Sequence, residues 1–165
     1  MKINIVMSTY NGEQFLAEQI DSIQQQTFKD WQLLIRDDGS SDQTPEIIKS
    51  FVAQDPRIVF INEHDRENFG VIKNFFTLIK HDKADYYFFS DQDDVWLEDK
   101  LETMLAAARQ YPDQLPLMVY TDLCVVDQNL QVMNQSMIRS QSHHANTELV
   151  QELTENKVPG GVAII

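Results

Sequence analysis

Two acidic clusters each follow an apolar stretch: Asp37-Asp38-Gly39-Ser40-Ser41-Asp42 after residues 31–36, and Asp91-Gln92-Asp93-Asp94 after residues 86–90. A carboxylate is costly to desolvate without a partner, so acids gathered at one sheet edge call for a cation, a polar ligand or both. With oxygen donors the cation is a hard one, Mg2+ or Mn2+. A divalent ion held by Asp91 or Asp93 could bridge the two phosphates of a nucleoside diphosphate, which reconciles so acidic a site with an anionic ligand.

Simpler readings compete. The second cluster could decorate a helix N-terminus to suit the macrodipole, which accounts for Asp94 but not for Asp91 on the strand side. Residues 37–42 could be no more than a turn, since Gly39-Ser40-Ser41 is turn chemistry in any case. Thr9, Tyr10, Asn11 and Glu13 alone would pass as a helix cap and staple. His143 and His144 are adjacent, and adjacent residues rarely face one metal, so they read as an exposed loop; His64 and His81 read as surface residues. The chain has no Gly-x-Gly-x-x-Gly run and no P-loop, and Val95 and Trp96 stand where an EF-hand needs a ligand and a glycine. A phosphatase with an aspartyl nucleophile places Asp-x-Asp after its first strand, whereas three strand-helix units precede Asp91 here.

Those units follow from periodicity. Ile3, Ile5 and Val6 form a strand, and Phe15, Leu16, Ile20 and Ile23 recur at helical spacing. A strand over 31–35 leads to a helix with Thr44 as N-cap, Pro45 at its first position, and Ile47, Ile48, Phe51 and Val52 on one face. A third strand over 58–61 precedes Val71, Ile72, Phe75, Phe76 and Ile79, and a fourth over 86–89 precedes Leu97, Leu101, Met104, Leu105 and Ala108. The alternation predicts an α/β fold: a mostly parallel sheet flanked by helices, with ligands at the carboxyl ends of the strands.

After Pro116 the pattern changes. Residues 117–126 are strand-like, Asp127-Gln128-Asn129 signals a turn and 130–133 its returning partner, which predicts an antiparallel addition. Residues 136–146 read as a loop and 147–156 as a short helix with Leu149, Val150 and Leu153 inward. Val162-Ala163-Ile164-Ile165 looks like a strand beginning, so the expectation is one domain over 1–165, truncated at its C-terminus.

Composition narrows the partners. Of 165 residues 42% are hydrophobic, enough for a core, and the formal charge of −13 argues against nucleic acid because no basic stripe exists to displace counterions. The first residues lack a signal peptide's features and no apolar run approaches the roughly 20 residues of a membrane span, so a cytoplasmic protein is expected. Membrane contact would be peripheral, at the inner face, and not through this segment. Cys124, the sole cysteine, is expected to be a small buried hydrophobe rather than a nucleophile.

Four blocks in order, Ser8-Thr9-Tyr10-Asn11-Gly12, Asp37 to Asp42, Asn68-Phe69-Gly70 with Lys73-Asn74, and Ser90 to Trp96, resemble the inverting family 2 glycosyltransferases of GT-A (Rossmann-like) fold. Within that family Asp37 to Thr44, Glu67-Asn68-Phe69-Gly70 and Ser90 to Trp96 look most like rhamnosyltransferases that build bacterial cell-wall or capsular polysaccharides. The resemblance implies that Thr9, Tyr10, Glu13 and Asp38 contact the nucleoside, Asp38 at the pyrimidine, with Lys73 near the pyrophosphate or base pocket. It implies Gln92 and Asp91 at the nucleotide sugar, Asp93 and Asp91 at a Mn2+ or Mg2+ ion, and Asp94 in support. Gly160-Gly161 matches a block at the acceptor and sugar site, although Pro159 and the residues after Gly161 depart from the common polar pattern.

The implied partners are a nucleotide sugar, dTDP-L-rhamnose or a UDP-sugar, and a glycan or lipid-linked glycan acceptor. A carboxylate base would remove the acceptor hydroxyl's proton, and one in-line displacement would invert the anomeric carbon. That base is expected beyond Ile165; Asp122 suits a site-wall or structural role at least as well. A non-catalytic nucleotide-binding module, or a metal-dependent phosphatase or nucleotidyltransferase, remains the alternative.

Overall fold

The computed structural model describes residues 1–112, 116–140 and the backbone of 163–164. Four parallel strands form its centre: β1 (Ile3–Thr9), β2 (Gln32–Asp37), β3 (Ile58–Phe60) and β4 (Tyr86–Ser90). Each is followed by a helix: α1 (Leu16–Gln24), α2 (Thr44–Gln54), α3 (Val71–His81) and α4 (Lys100–Ala108). Then come β5 (Val119–Tyr120), β6 (Val125–Val126), β7 (Val132–Asn134), α5 (Met137–Ser140) and β8 (Ala163–Ile164). The main sheet runs β3-β2-β1-β4-β8-β5, with β8 antiparallel to both of its neighbours.

Alternation along β1 divides the core. Ile3, Ile5 and Met7 join Leu33, Ile35 and Phe88 under Leu16, Ile20 and Ile23 of α1, Ile48 of α2 and Leu101, Met104 and Leu105 of α4. Val6 and Leu34 face the other way, against Leu78 of α3. Helix α3 also carries Val71, Ile72 and Phe76, but these point outward.

Beneath the sheet edge, Asp55 accepts from Gln24 and from the backbone and guanidinium of Arg57, whose guanidinium lies 3.8 Å over the Trp31 ring. The Arg57 guanidinium holds the Asp55 carboxyl far below the usual carboxylate range, with the Gln24 amide adding to it against the desolvation of a partly buried acid. A depressed folded-state pKa gives stability that is complete above the unfolded value of about 4 and is lost as pH falls through the folded one. Asp55→Asn is therefore expected to cost about 2 kcal/mol at pH 7 and to flatten the loss of stability between pH 7 and 3, read from urea midpoints. An acid limb as steep as the parent's would refute the assignment.

Several expectations need correction. Cys124 is exposed, its thiol donating to the Gln135 carbonyl, because 117–126 is not one strand: the chain leaves the main sheet after Tyr120 and re-forms as an exposed β6–β7 hairpin. That hairpin does turn at 127–131, where the Asp127 carboxylate accepts from the Asn129 and Gln131 N–H groups. Residues 137–140 form a helical turn rather than loop. Thr44 does not cap its own helix, since Gln43 occupies the cap position, Pro45 follows in the first turn and the Thr44 hydroxyl accepts from Gly12 N–H. Phe15 and Leu97 lie before their helices and are exposed. The predicted helix at 147–156, His143-His144 and Gly160-Gly161 lie outside the described residues; His64 and His81 are exposed.

Candidate active site

Strand order reverses between β1 and β4, the position at the carboxyl end of such a sheet where ligands bind. The candidate residues lie on the loops that follow β1, β2 and β4 and at the start of α3.

On the β2 side, Asp37 and Asp38 have separate tasks. Asp37 is a loop organiser: its carboxylate accepts from the Thr9 and Ser40 hydroxyls and the Gly39 and Ser40 N–H groups. Thr9 is thus buried, its hydroxyl proton committed to Asp37. Gly39, at φ +82°, allows the turn; a Cβ there would come 2.7 Å from the Arg66 carbonyl. The Asp38 carboxylate accepts from Phe69 N–H at 2.6 Å, Gly70 N–H at 2.9 Å and Arg36 at 3.1 Å.

Arg36 is 2% exposed and organises this half of the site. It donates to Asp38, to the Asn74 side chain and to the Glu67 carbonyl, and it stacks 3.9 Å from the centre of the Phe69 ring. Lys73 Nζ lies 3.7 Å from the same ring, so Phe69 carries two cations. Asn74 in turn donates to Ser8 on β1. An arginine directly after the apolar run Leu33-Leu34-Ile35, still within strand β2, was the available signal for this network, because a buried charge must be paired.

The β1 loop is laced to the β2 loop. Asn11 N–H donates to Ser40, Gly12 N–H to Thr44 and Glu13 N–H to Asp42, while Asn11 and Glu13 accept from Ser41 and Gln43 N–H. Glu13 therefore braces the loops and does not cap α1. Tyr10 is exposed, and its backbone meets the side chain of Gln92 from β4's loop, the N–H donating to Oε1 at 2.9 Å and the carbonyl accepting from Nε2 at 3.1 Å.

On the β4 side, the acidic segment is not a helix cap: α4 begins at Lys100, with Asp99 at its cap position. The macrodipole therefore does not account for Asp91, Asp93 or Asp94. Gln19 of α1 holds the segment, its amide donating to the Asp94 carbonyl at 2.6 Å and accepting from Trp96 Nε1 at 3.1 Å. Burial pushes the Asp94 carboxyl up to about 6, the charges of Asp91 and Asp93 push the same way, and Lys100 opposes them. Burial pulls Lys100 down to about 8 against the attraction of Asp94 and Asp91. Three acids thus share a surplus of negative charge that one lysine offsets.

Among the described residues no three His, Cys, Asp or Glu side chains converge as a complete metal cage. One or two carboxylates, completed by phosphate oxygens and water, is the arrangement Mg2+ accepts, so Asp91 and Asp93 are the residues here that could hold an ion arriving with its ligand. Asp122 is structural, accepting from Ser136 and from the Leu123 and Ile138 N–H groups.

The family model "Glycosyl transferase family 2" matches residues 4–156. The chain is 40% identical over 102 residues to the dTDP-rhamnosyl transferase RfbG of Shigella flexneri, covering 60% of this chain and 35% of that protein. It is 28% identical over 136 residues to the UDP-Glc:alpha-D-GlcNAc-diphosphoundecaprenol beta-1,3-glucosyltransferase WfgD of Escherichia coli, covering 82% and 48%. The fold is shared with the mannosyltransferase PcManGT from Pyrobaculum calidifontis in complex with GDP-Man and Mn2+, at TM-score 0.67 and 19% identity over 99% of this chain and 44% of that one. It is shared with S. aureus TarS 1-349 in complex with UDP, at TM-score 0.57 and 24% identity over 67% and 32%. The architecture is GT-A, and the chain spans between about a third and a half of these proteins.

Proposed function

Because the chain belongs to glycosyl transferase family 2, we propose that it is the donor-binding part of a metal-dependent, inverting glycosyltransferase of cell-wall or capsular polysaccharide synthesis. The observation that carries this is the Asp91–Asp94 segment at the strand-order reversal, which lies ahead of the α4 cap and gathers three acids, Asp94 raised by burial and by the charges of Asp91 and Asp93. Asp93 and Asp91 would hold Mn2+ or Mg2+, which when bound neutralises the departing nucleoside diphosphate. Tyr10 and Lys73 line the nucleoside and pyrophosphate side. Asp38 has three of about four acceptor positions filled, which leaves one for the imide N–H of a pyrimidine.

The donor is dTDP-L-rhamnose, a choice supported by the motif text of residues 37–44, 67–70 and 90–96 and by the relative named as a dTDP-rhamnosyl transferase; a UDP-sugar is the competing donor. The acceptor is a glycan or lipid-linked glycan, the class named for the E. coli relative. No helix among the described residues is long and apolar enough to cross a membrane, so contact with a lipid-linked acceptor here would be peripheral. Asp122 is not assigned as the base, since its carboxylate is committed to Ser136 and two N–H groups.

Calorimetric titration with dTDP and UDP, each with and without Mn2+, tests the reading. Binding strengthened by Mn2+, with dTDP the tighter ligand, is expected. No binding of either nucleotide would overturn the site, and a preference for UDP would overturn the rhamnosyl donor alone.

A further inference from the structure

Backbone pairing between β1 and β4 ends at Met7 opposite Ser90, while β1 stays paired with β2 as far as Thr9 opposite Asp37. Beyond Ser90 the chain turns away, and the ladder would stop there. The primary amide of Gln92 adds one more rung, because it presents an acceptor and a donor together, as a peptide group does, to the N–H and carbonyl of Tyr10.

A second observation fixes the same contact from the opposite side. A Cβ built on Gly12 would stand 2.4 Å from Gln92 Oε1 and 2.6 Å from its Cδ. The side chain at 92 thus occupies the space that a side chain at position 12 would need. The Gln92 amide joins the turn that bears Asp91 and Asp93 to the loop that bears Tyr10.

We infer that Gln92 is a positioning residue whose amide holds the acidic turn in register with the Tyr10 loop, so that metal and nucleotide strengthen each other's binding through it. The inference rests on the proposed metal and nucleotide site and adds to it a role other than direct contact with the sugar. Coupling between two ligands requires an element that both of them bias, and this amide is a physical link between the acidic turn and the Tyr10 loop.

The test compares the unmodified chain, Gln92→Ala and Gly12→Ala by titrating dTDP and UDP with and without Mn2+. In Gln92→Ala the factor by which Mn2+ strengthens nucleotide binding, the ratio of affinities with and without the metal, is expected to fall fivefold or more. Gly12→Ala keeps the glutamine but displaces its amide, and is expected to reproduce the loss. Hydrogen exchange gives a readout apart from ligand binding: the Tyr10 amide, slow in the unmodified chain, becomes fast in Gln92→Ala. An unchanged Mn2+ factor in both variants, or unchanged exchange at Tyr10, overturns the inference and leaves the proposed function standing. No Mn2+ effect in the unmodified chain overturns the metal site and the inference with it.

Discussion

Arg36→Met is expected to lower the unfolding free energy by about 3–5 kcal/mol, the penalty for leaving a buried carboxylate without its cation. Arg36 is 2% exposed and Asp38 5%, so water replaces the missing charge poorly. The variant also strands the Asn74 side chain and the Glu67 carbonyl and removes the support beneath Phe69. Against a typical stability of about 5–15 kcal/mol the loss is large enough to unfold a marginal domain. Pairing it with Asp38→Asn removes the orphaned charge and is expected to recover at least about 1 kcal/mol relative to the single variant. Urea titrations of the three proteins decide the matter. A single-variant loss below about 1 kcal/mol would mean that Arg36 is replaceable and that the 67–70 loop is held by something else.

The second large effect concerns ligand binding. Asp93→Ala is expected to weaken nucleotide binding in the presence of Mn2+ by about 2 kcal/mol or more, roughly 30-fold, with little change in its absence. Asp93 is exposed and lies outside the packed core, so fold stability should hold to within about 0.5 kcal/mol. That contrast separates it from Arg36→Met, which should damage the fold first. Metal-dependent affinity equal to the parent's would remove Asp93 from the metal site and leave Asp91 to be tested alone.

The parallel half of the fold was legible because its strands and helices are long enough for their periods to show, as in the alternation of Ile3, Ile5 and Met7 with Val6. The region after Pro116 was harder to anticipate. A run as apolar as 117–126 suggests one strand, and nothing local reveals that β5 pairs only with β8 while β6 turns into a hairpin. The acidic clusters were visible as residue types, but their division of labour was not. Asp37 and Asp38 are neighbours in sequence, yet one ties down its own turn and the other reaches the N–H groups of Phe69 and Gly70. Arg36, Gln19 and Gln92 matter through partners far away in the chain, which no local pattern shows.

The place of β8 in the sheet also dictates an order of events during folding. Ile164 pairs with Phe88 on one side and Val119 on the other, so β8 is inserted between two strands that precede it in sequence. Strands β1 to β4 can assemble as soon as they leave the ribosome, but β4 must then wait with its outer row of N–H and carbonyl groups unpaired until residues 163–164 arrive. During that interval the same row is an open sheet edge of the kind that pairs with strands of other chains, and β8 is the element that closes it.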